Sequence, residues 1–385
     1  MNEILILHAT CGGGHKSAAR ALEKAFHEAD ATIPVRVVDA LDFMSPTSRK
    51  LYTGSFEVAV AHVPSVYGAF FEMTRNLDRS PVFRAARGVS NRINCEGLVE
   101  LLRESQPRAV VCTHFLPLEV ALREKRAGRL EAPVYAVVTD YVAHGFWRQE
   151  DAEVTFCPPG RAVCDLVLGG VPEERIQKTG IPIDPAFGRS HDRLAAKARA
   201  GLPFERPTIL LLAGGAGMGP LAEVLRETAH AAGDSAEIVV VCGKNEALKA
   251  ECAALARDLP APIRVLGFVD PILDLLQGAD VVVTKPGGLT TSECLALGKP
   301  IVFYEAAPGQ ESANVRYAVD RDAALDGGSP EGAARAAVLL ARNPALRERL
   351  GRRARRISRP DAARAIVRTV LARSEVAVDE YALVA

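Results

Sequence analysis

The stretch ADVVVTKPGGLTTSECLALGKPIVFYEAAPGQESAN, residues 279–314, decides the fold class. An unbroken apolar run ends at Thr284, glycines follow at the turn 285–288, and a helix is predicted from Leu289 or Thr290. Gly298 and the proline two residues later are typical of a helix end, and a second apolar run comes next. Strand, glycine turn, helix and strand in this order indicate a parallel α/β sheet.

The same alternation runs through both halves of the chain. Ten β-branched runs are predicted strands: 3–9, 34–40, 108–114, 132–140 and 151–157, then 207–215, 237–243, 263–268, 279–285 and 299–305. A proline-rich stretch, 178–207, separates the two sets. The sequence therefore predicts two Rossmann-like parallel-sheet domains.

The predicted domain boundaries follow from these runs. We expect an N-terminal domain at 1–185, a C-terminal domain at 186–357 and a final helix within 358–385. Residues 41–95 break the alternation of the first domain, and from Arg49 to Arg92 they hold seven Lys or Arg against three acids. This insertion also carries Phe70 and Phe71, so it suits an anionic membrane surface, although a partly buried helical insertion explains it equally well.

Composition excludes several classes of protein. The 385-residue chain has a formal net charge of +0, and we find no nucleic-acid-binding signature. No apolar run reaches the roughly 18 residues that a transmembrane helix needs, and the N-terminus is too short and acidic for a signal peptide. None of the eight cysteines forms a C-x-x-C pair. We expect a soluble cytosolic protein with reduced thiols.

The turn at 285–288 and the helix after it suit a diphosphate, because backbone N–H groups at a helix start bind anions. Glu293 has two interpretations of equal weight: a capping box with Thr290, or a carboxylate that accepts both hydroxyls of a ribose. Beyond the next strand, a predicted loop offers the polar residues Gln310, Glu311 and Asn314. These residues suit sugar hydroxyls at the carboxyl edge of the sheet, or simply a solvated surface.

A second glycine-rich turn stands in HATCGGGHKSAARAL, residues 8–22. A P-loop is excluded because Thr10 and His15 occupy positions that must be glycine. A dinucleotide fingerprint is a near miss, because Ser17 replaces its third glycine although Asp39 is suitably placed. Taken alone, His15 is as consistent with a residue next to a helix cap as with a catalytic group.

Several spaced motifs resemble the family of monogalactosyldiacylglycerol synthases and processive diacylglycerol glucosyltransferases. These are GT-B glycosyltransferases related to the peptidoglycan N-acetylglucosaminyl transferase. The resemblance covers nearly the whole chain and rests on seven stretches in order: GGGHKSAA (12–19), VCTHFLP (111–117), VVTDYVAHGFW (137–147), GGVPEERIQKTGIPIDPAF (169–187), LGFVD (266–270), TKPGGLTTSECLALGKP (284–300) and PGQESAN (308–314).

The resemblance implies a fold, a donor and a set of contacts. The fold is GT-B, with two Rossmann-like domains facing each other across a cleft and a final helix that crosses back to the first. The donor is a UDP-sugar. The implied donor contacts are Gly13, Gly14, Phe268 and Val269 near the uracil or the cleft, Gly287, Gly288, Leu289 and Thr290 at the diphosphate, Glu293 at the ribose, and Gln310, Glu311 and Asn314 at the hexose.

The resemblance also assigns catalytic candidates. His15 would face the donor and remove the proton of the acceptor hydroxyl, as an inverting transfer requires. Independently of the resemblance, Asp140 and His144 form a second constellation, in which Asp140 orients His144 or a water or serves as the base itself, or else both stand in a plain strand-end turn. Trp147, the only tryptophan, would line a lipid-facing groove, or else fill the core.

These features predict hexose transfer, with inversion, from UDP-glucose or UDP-galactose to diacylglycerol or a similar lipid alcohol. The enzyme would associate peripherally with the inner face of the cell membrane. The segment Asp320-Arg321-Asp322 matches a metal-binding D-x-D pattern, but we assign it to a solvated loop and expect no required metal or cofactor. The alternatives are a different acceptor, a UDP-N-acetylhexosamine 2-epimerase of the same fold, or a non-catalytic nucleotide-sugar sensor.

Overall fold

The computed structural model of the chain describes residues 3–10, 12–50, 52, 73–74, 80, 82–83, 87–88, 91, 94–189 and 192–382, with side chains as far as residue 374. Most of the insertion 41–95, including Phe70 and Phe71, lies outside these residues, so their predicted acceptor or membrane contact stays a prediction. The chain divides into two compact units, residues 1–185 with 359–385, and residues 186–358. Each unit contains one six-stranded sheet.

The first unit alternates strands and helices. Its elements are β1 (Ile4–His8), α1 (Gly14–Ala29), β2 (Val35–Asp39), α2 (Glu96–Ser105), β3 (Ala109–Cys112), α3 (Phe115–Arg126), β4 (Val134–Val137), β5 (Thr155–Phe156), α4 (Arg161–Val167) and β6 (Ile176–Gln177). The strand order is β2-β1-β3-β4-β5-β6 and every pairing is parallel.

Both faces of this sheet are buried, which explains its unbroken apolar strands. Along β1, Ile4 and Ile6 belong to a hydrophobic cluster that includes Phe26 of α1. The alternate residues Leu5 and Leu7 belong to a separate cluster on the other side, with residues of α2 and α3. Period-two alternation therefore delivers the four apolar side chains of β1 alternately to two cores.

The second unit repeats the architecture. Its elements are α5 (Arg193–Ala200), β7 (Thr208–Leu212), α6 (Leu221–Ala232), β8 (Glu237–Val241), α7 (Glu246–Leu255), β9 (Ile263–Leu266), α8 (Leu273–Gly278), β10 (Val281–Thr284), α9 (Gly288–Leu297), β11 (Ile301–Phe303), α10 (Gln310–Val319), β12 (Ala324–Asp326), α11 (Pro330–Arg342) and α12 (Pro344–Ile357). The strand order is β12-β11-β10-β7-β8-β9, with parallel pairings throughout.

The last helix, α13 (Ala362–Ala382), belongs to the first unit. Its apolar residues Ile366, Val367 and Val370 are fully buried in the cluster that contains Phe26. Among the helices of the described ranges, none combines the length and apolar character that crossing a bilayer requires.

All ten predicted strands are present, and the predicted fold class is confirmed by the two parallel sheets. Two edge strands, β6 and β12, were not predicted. β12 begins two residues after Asp322, and the segment 320–322 itself is an exposed turn, as predicted. These short strands carry little hydrophobic pattern and form through backbone pairing with a neighbour, such as Ala324 with Ile301.

Candidate active site

His15 is the second residue of α1, just beyond the first glycine turn. Its Nδ1 lies 2.7 Å from the carbonyl oxygen of Thr113 and 3.0 Å from Oγ1 of Thr139. A carbonyl oxygen only accepts hydrogen bonds, so Nδ1 carries the proton and donates it to Thr113. In the neutral imidazole this leaves Nε2 unprotonated, with a lone pair able to take up a proton.

The position of His15 follows from the topology of the first sheet. Thr113 comes directly after β3 and Thr139 shortly after β4, so both lie at the edge where β1 also ends. Thr113 joins these elements further, because its N–H donates to the carbonyl of Leu7 at 2.9 Å and its hydroxyl to that of His15 at 2.9 Å. The sequence analysis missed both threonines, although residues that end neighbouring parallel strands share an edge.

Burial lowers the pKa of His15 below its ordinary value of 6.5, because removal from water disfavours the imidazolium. The negative charge of Asp140 and the hydrogen bond to Thr113 oppose this effect and raise the pKa. His15 is therefore mostly neutral at pH 7. The structure thus brings two of the predicted catalytic residues, His15 and Asp140, into electrostatic contact.

His144 has the opposite tautomer. Its Nδ1 accepts the N–H of Phe146 at 3.3 Å, so the proton stands on Nε2, which lies 3.1 Å from the hydroxyl of Thr74. His114 packs edge-on against His15, with ring centroids 4.5 Å apart, and its Nδ1 likewise accepts the N–H of Leu116 at 3.0 Å. Burial and the neighbouring histidines place the pKa of His114 well below 6.5. The lone pair of His144 therefore already caps the short helix Gly145–Trp147, and the lone pair of His114 already caps α3.

Trp147 does not line an open groove in this structure. Its side chain is only 4% exposed and belongs to the core cluster, with its ring centroid 6.1 Å from that of Phe115. This burial supports the alternative of a core aromatic, and the acceptor contact of Trp147 stays a prediction. The ring is covered because the short helix Gly145–Trp147 packs against α4 and its tryptophan joins the core cluster.

In the second unit, α9 begins at Gly288, one or two residues earlier than predicted. Thr290 is consequently the third helical residue and cannot cap the helix, and the half-buried Glu293 lies in the second turn. The capping-box interpretation of Glu293 is therefore wrong. The early start occurs because the backbone at Gly287 is extended and the next residue already has helical geometry.

The turn before α9 is open at its surface. Gly287 has a φ of −68°, which any residue adopts, and no atom lies within 4 Å of the place where a Cβ would stand. The fold does not require glycine there. No side chain of a described residue caps α9, so the N–H groups of its first turn, at Gly288, Leu289 and Thr290, lack intrahelical acceptors. Such a turn suits an anion that approaches the backbone closely.

The stretch after β11 is helical from Gln310 and is not the predicted loop. Gly309, with a φ of 99°, turns the chain so that Gln310 and Glu311 form the first turn of α10. Oε2 of Glu311 accepts the N–H of Ala307 at 2.8 Å. Asn314 is fully buried and donates from Nδ2 to the carbonyl of Pro286 at 2.8 Å. Asn314 thus braces the turn at 285–288.

Lys285 is a residue that the sequence analysis missed. Its Nζ lies 3.9 Å from Oε1 of Glu311. A Cβ at Gly219, which has a φ of 98°, would lie 3.2 Å from Cδ of Lys285 and 3.5 Å from a carboxylate oxygen of Glu305. The glycine-rich segment AGGAGMG, residues 213–219, therefore joins the turn at 285–288 at one edge of the second sheet. The four glycines in this segment after β7 were the sequence feature that could have indicated a second part of the anion site.

Phe268 and Val269 follow β9 at the same edge of the second sheet. The side chain of Phe268 is 52% exposed, and Nζ of Lys244 lies 5.2 Å from its ring centroid. An exposed aromatic ring at the carboxyl edge of a parallel sheet can stack on a planar base. This geometry is compatible with the implied contact to uracil.

Two family models match separate parts of the chain. The model described as monogalactosyldiacylglycerol (MGDG) synthase matches residues 15–183, and the model described as glycosyl transferases group 1 matches residues 221–357. Two curated relatives, from Bacillus subtilis (strain 168) and Bacillus cereus (strain B4264), bear the name processive diacylglycerol beta-glucosyltransferase. Each is 29% identical over 84% of this chain, covering 82% and 81% of the respective relatives.

Solved structures share the fold at lower identity. MurG of Acinetobacter baumannii superposes with a TM-score of 0.59 at 16% identity, over 96% of this chain and 99% of that one. The complex of MnaA from S. aureus with UDP gives a TM-score of 0.62 at 13% identity, over 95% of each chain. The UDP-GlcNAc 2-epimerase of Neisseria meningitidis gives 0.59 at 13% identity, over 96% and 100%. Family models, relatives and fold together indicate a glycosyltransferase with the GT-B fold, and over most of its length the chain is similar to the monogalactosyldiacylglycerol synthases and processive diacylglycerol glucosyltransferases.

Proposed function

We propose that this enzyme transfers a hexose from UDP-glucose or UDP-galactose to diacylglycerol or a similar membrane lipid alcohol. The transfer inverts the anomeric configuration and makes a glycolipid, on an enzyme bound peripherally to the inner face of the cell membrane. The tautomer of His15 carries the proposal, because a base at the acceptor hydroxyl needs an unprotonated nitrogen whose ring is held in place. The names of the curated relatives support the transfer of a glucosyl group and diacylglycerol as the acceptor.

In the proposed reaction, Nε2 of His15 takes the proton of the acceptor hydroxyl. The freed oxygen attacks the anomeric carbon on the face opposite UDP, and the bond to the UDP oxygen breaks with its electron pair. Thr113 fixes the imidazole, and the carboxylate of Asp140 stabilises the imidazolium that forms. His144 and His114 are not assigned as bases, because their lone pairs accept backbone N–H groups.

The departing UDP gains negative charge on its diphosphate. We assign the stabilisation of this charge to the N–H groups at the start of α9 and to the ammonium of Lys285. Glu293 takes the ribose, and Gln310 and Glu311 take the hexose. Because the N–H groups and the ammonium supply positive charge to the diphosphate, the proposed reaction requires no metal. Activity is expected to be unchanged in EDTA.

The test measures UDP release from a panel of UDP-sugars, with and without diacylglycerol in vesicles and with and without EDTA. We expect lipid-dependent release from UDP-glucose or UDP-galactose, an inverted product by anomeric NMR, and its loss in His15→Ala. His27→Ala, an exposed histidine of the same helix α1, is the matched control and should behave as wild type. UDP-sugar binding without lipid-dependent turnover would refute diacylglycerol as acceptor, and conversion of UDP-N-acetylhexosamine without acceptor would establish the epimerase alternative.

A further inference from the structure

The arginine-rich segment 346–373, with ten arginines and two acids, divides into two groups in the structure. Four of the arginines are bound within their own unit. Arg347 donates to the carbonyl of Leu340, Arg355 to that of Leu297, Arg364 pairs with Glu28, and Arg373 pairs with Glu153. Two more, Arg359 and Arg368, lie beyond α12, in the first unit. The remaining four stand on α12.

These four, Arg349, Arg352, Arg353 and Arg356, form one face of the helix, called here the arginine face of α12. At 100° per residue they span only about 100° of the helix circumference. All four are exposed. The opposite side of α12 carries Leu350, Gly351 and Ala354, which are buried against the unit. The arginine face therefore points to solvent because the helix is anchored by its other side.

The charge of this face is largely uncompensated. The neighbouring acid on α12, Glu348, pairs with Arg352. In the described ranges no ion pair or hydrogen bond joins Arg349, Arg353 or Arg356 to another residue. Like charges three and four residues apart destabilise a helix. The arrangement thus brings no stabilisation to the unit itself, and it concentrates positive charge in a chain whose net charge is +0.

We propose that the arginine face of α12 docks the enzyme on an anionic lipid bilayer. This inference rests on the proposed function, because diacylglycerol has no charged headgroup and remains in the membrane. Guanidinium groups bind phosphate oxygens with two parallel hydrogen bonds, so a row of them matches the phosphate layer of an anionic membrane. A membrane is favoured over a nucleic acid because the face consists of arginines alone and offers no aromatic side chain for base stacking.

The test compares two triple variants that lose the same charge. R349Q/R353Q/R356Q removes the unpaired arginines of the face, and R206Q/R226Q/R257Q removes three exposed arginines elsewhere in the second unit. Thermal unfolding checks that both variants fold. The partition coefficient is measured by sedimentation with vesicles of phosphatidylcholine and about 30 mol% phosphatidylglycerol, which carry the negative charge of an anionic leaflet. We expect a loss on the order of 100-fold for the first variant and little change for the second.

Vesicles of phosphatidylcholine alone should bind neither wild type nor variants, and added salt should weaken the binding of wild type. Equal losses in the two variants, or no loss in the first, would overturn the proposal. So would a loss of binding to a single-stranded RNA oligonucleotide while vesicle binding is retained, since the face would then serve nucleic acid.

Diacylglycerol dispersed in non-ionic detergent micelles separates docking from chemistry. There the R349Q/R353Q/R356Q variant should release UDP at the wild-type rate, whereas on anionic vesicles its rate should fall. If wild type releases no UDP in micelles or on vesicles, the proposed function fails, and the sedimentation result still decides the docking proposal by itself.

Discussion

The two glycine turns of this enzyme share the order of strand, glycine turn and helix, and they differ in their side chains. In the first unit β1 leads into α1, and in the second β10 leads into α9. Both helices start at a glycine, Gly14 or Gly288, with a second glycine at the cap position before it, and no described side chain caps either helix. The first turn places His15 at the start of its helix, whereas the second places Lys285 just before its glycines.

The difference shows that the strand, turn and helix only place a residue at the carboxyl edge of the sheet. One or two side chains at that position then decide the chemistry. His15 is held by Thr113 in a neutral tautomer suited to accept a proton. Lys285, with its ammonium beside Glu311 and Gly219, suits an anion. The proposed reaction needs one group of each kind, a base for the acceptor and a cation for the departing diphosphate.

The largest effect is expected at the first turn. His15→Ala should lower kcat by about 10²- to 10⁴-fold, because it removes the proposed general base. The KM for the UDP-sugar should change little, since the lost step concerns the acceptor. Steady-state UDP release measures both parameters, and His27→Ala serves as control. A variant with unchanged kcat would exclude His15 as the base, and the first turn would then have no assigned catalytic group.

The next effect is expected at the second turn. Lys285→Met keeps the length and apolar stem of the side chain but removes the charge near the diphosphate, so kcat/KM should fall about 10²-fold. Lys178→Met, an exposed lysine of the first unit, is the control and should leave kcat/KM unchanged. If the two variants behave alike, the anion is stabilised by backbone groups alone.

Gly287→Ala and Gly298→Ala separate binding from folding in the same helix. At Gly287 a Cβ meets nothing, so the melting temperature should hold while the KM for the UDP-sugar rises about tenfold, or about 1.4 kcal/mol. At Gly298, with a φ of 63° and Arg355 only 2.6 Å from the Cβ position, alanine should cost about 1–2 kcal/mol of unfolding free energy and leave KM unchanged. A lowered melting temperature for Gly287→Ala would show that the glycine is structural.

The smallest effect concerns pH. A base titrates from inactive to active as the pH rises through its pKa, so the acidic limb of kcat/KM should lie below pH 6.5, where burial places the pKa of His15. Asp140→Asn removes the charge that raises this pKa, so the limb should move to lower pH. A limb that stays in place would mean that Asp140 does not act on His15. A shift to higher pH would contradict the electrostatic argument.

Much of the fold was readable from local pattern. Strands buried on both faces are continuously apolar, and this signal located ten of the twelve strands. The spaced motifs indicated the class of enzyme. The edge strand β12 was missed because a strand of three residues, paired on one side, needs little apolar surface. The start of α9 was misplaced because a threonine with a glutamate three residues later matches the capping-box pattern even inside a helix.

The sequence by itself determined the two α/β halves, the glycine turns and the set of candidate residues, because backbone propensity and hydrophobic period act over a few residues. Only the tertiary structure decided what those residues do. The tautomer of His15 depends on a partner 98 positions away in the chain, Thr113. Likewise the burial of Trp147 and the exposure of one arginine face on α12 depend on which side of each element packs against the rest of its unit. Such contacts are set by the assembled core, and local sequence does not encode them.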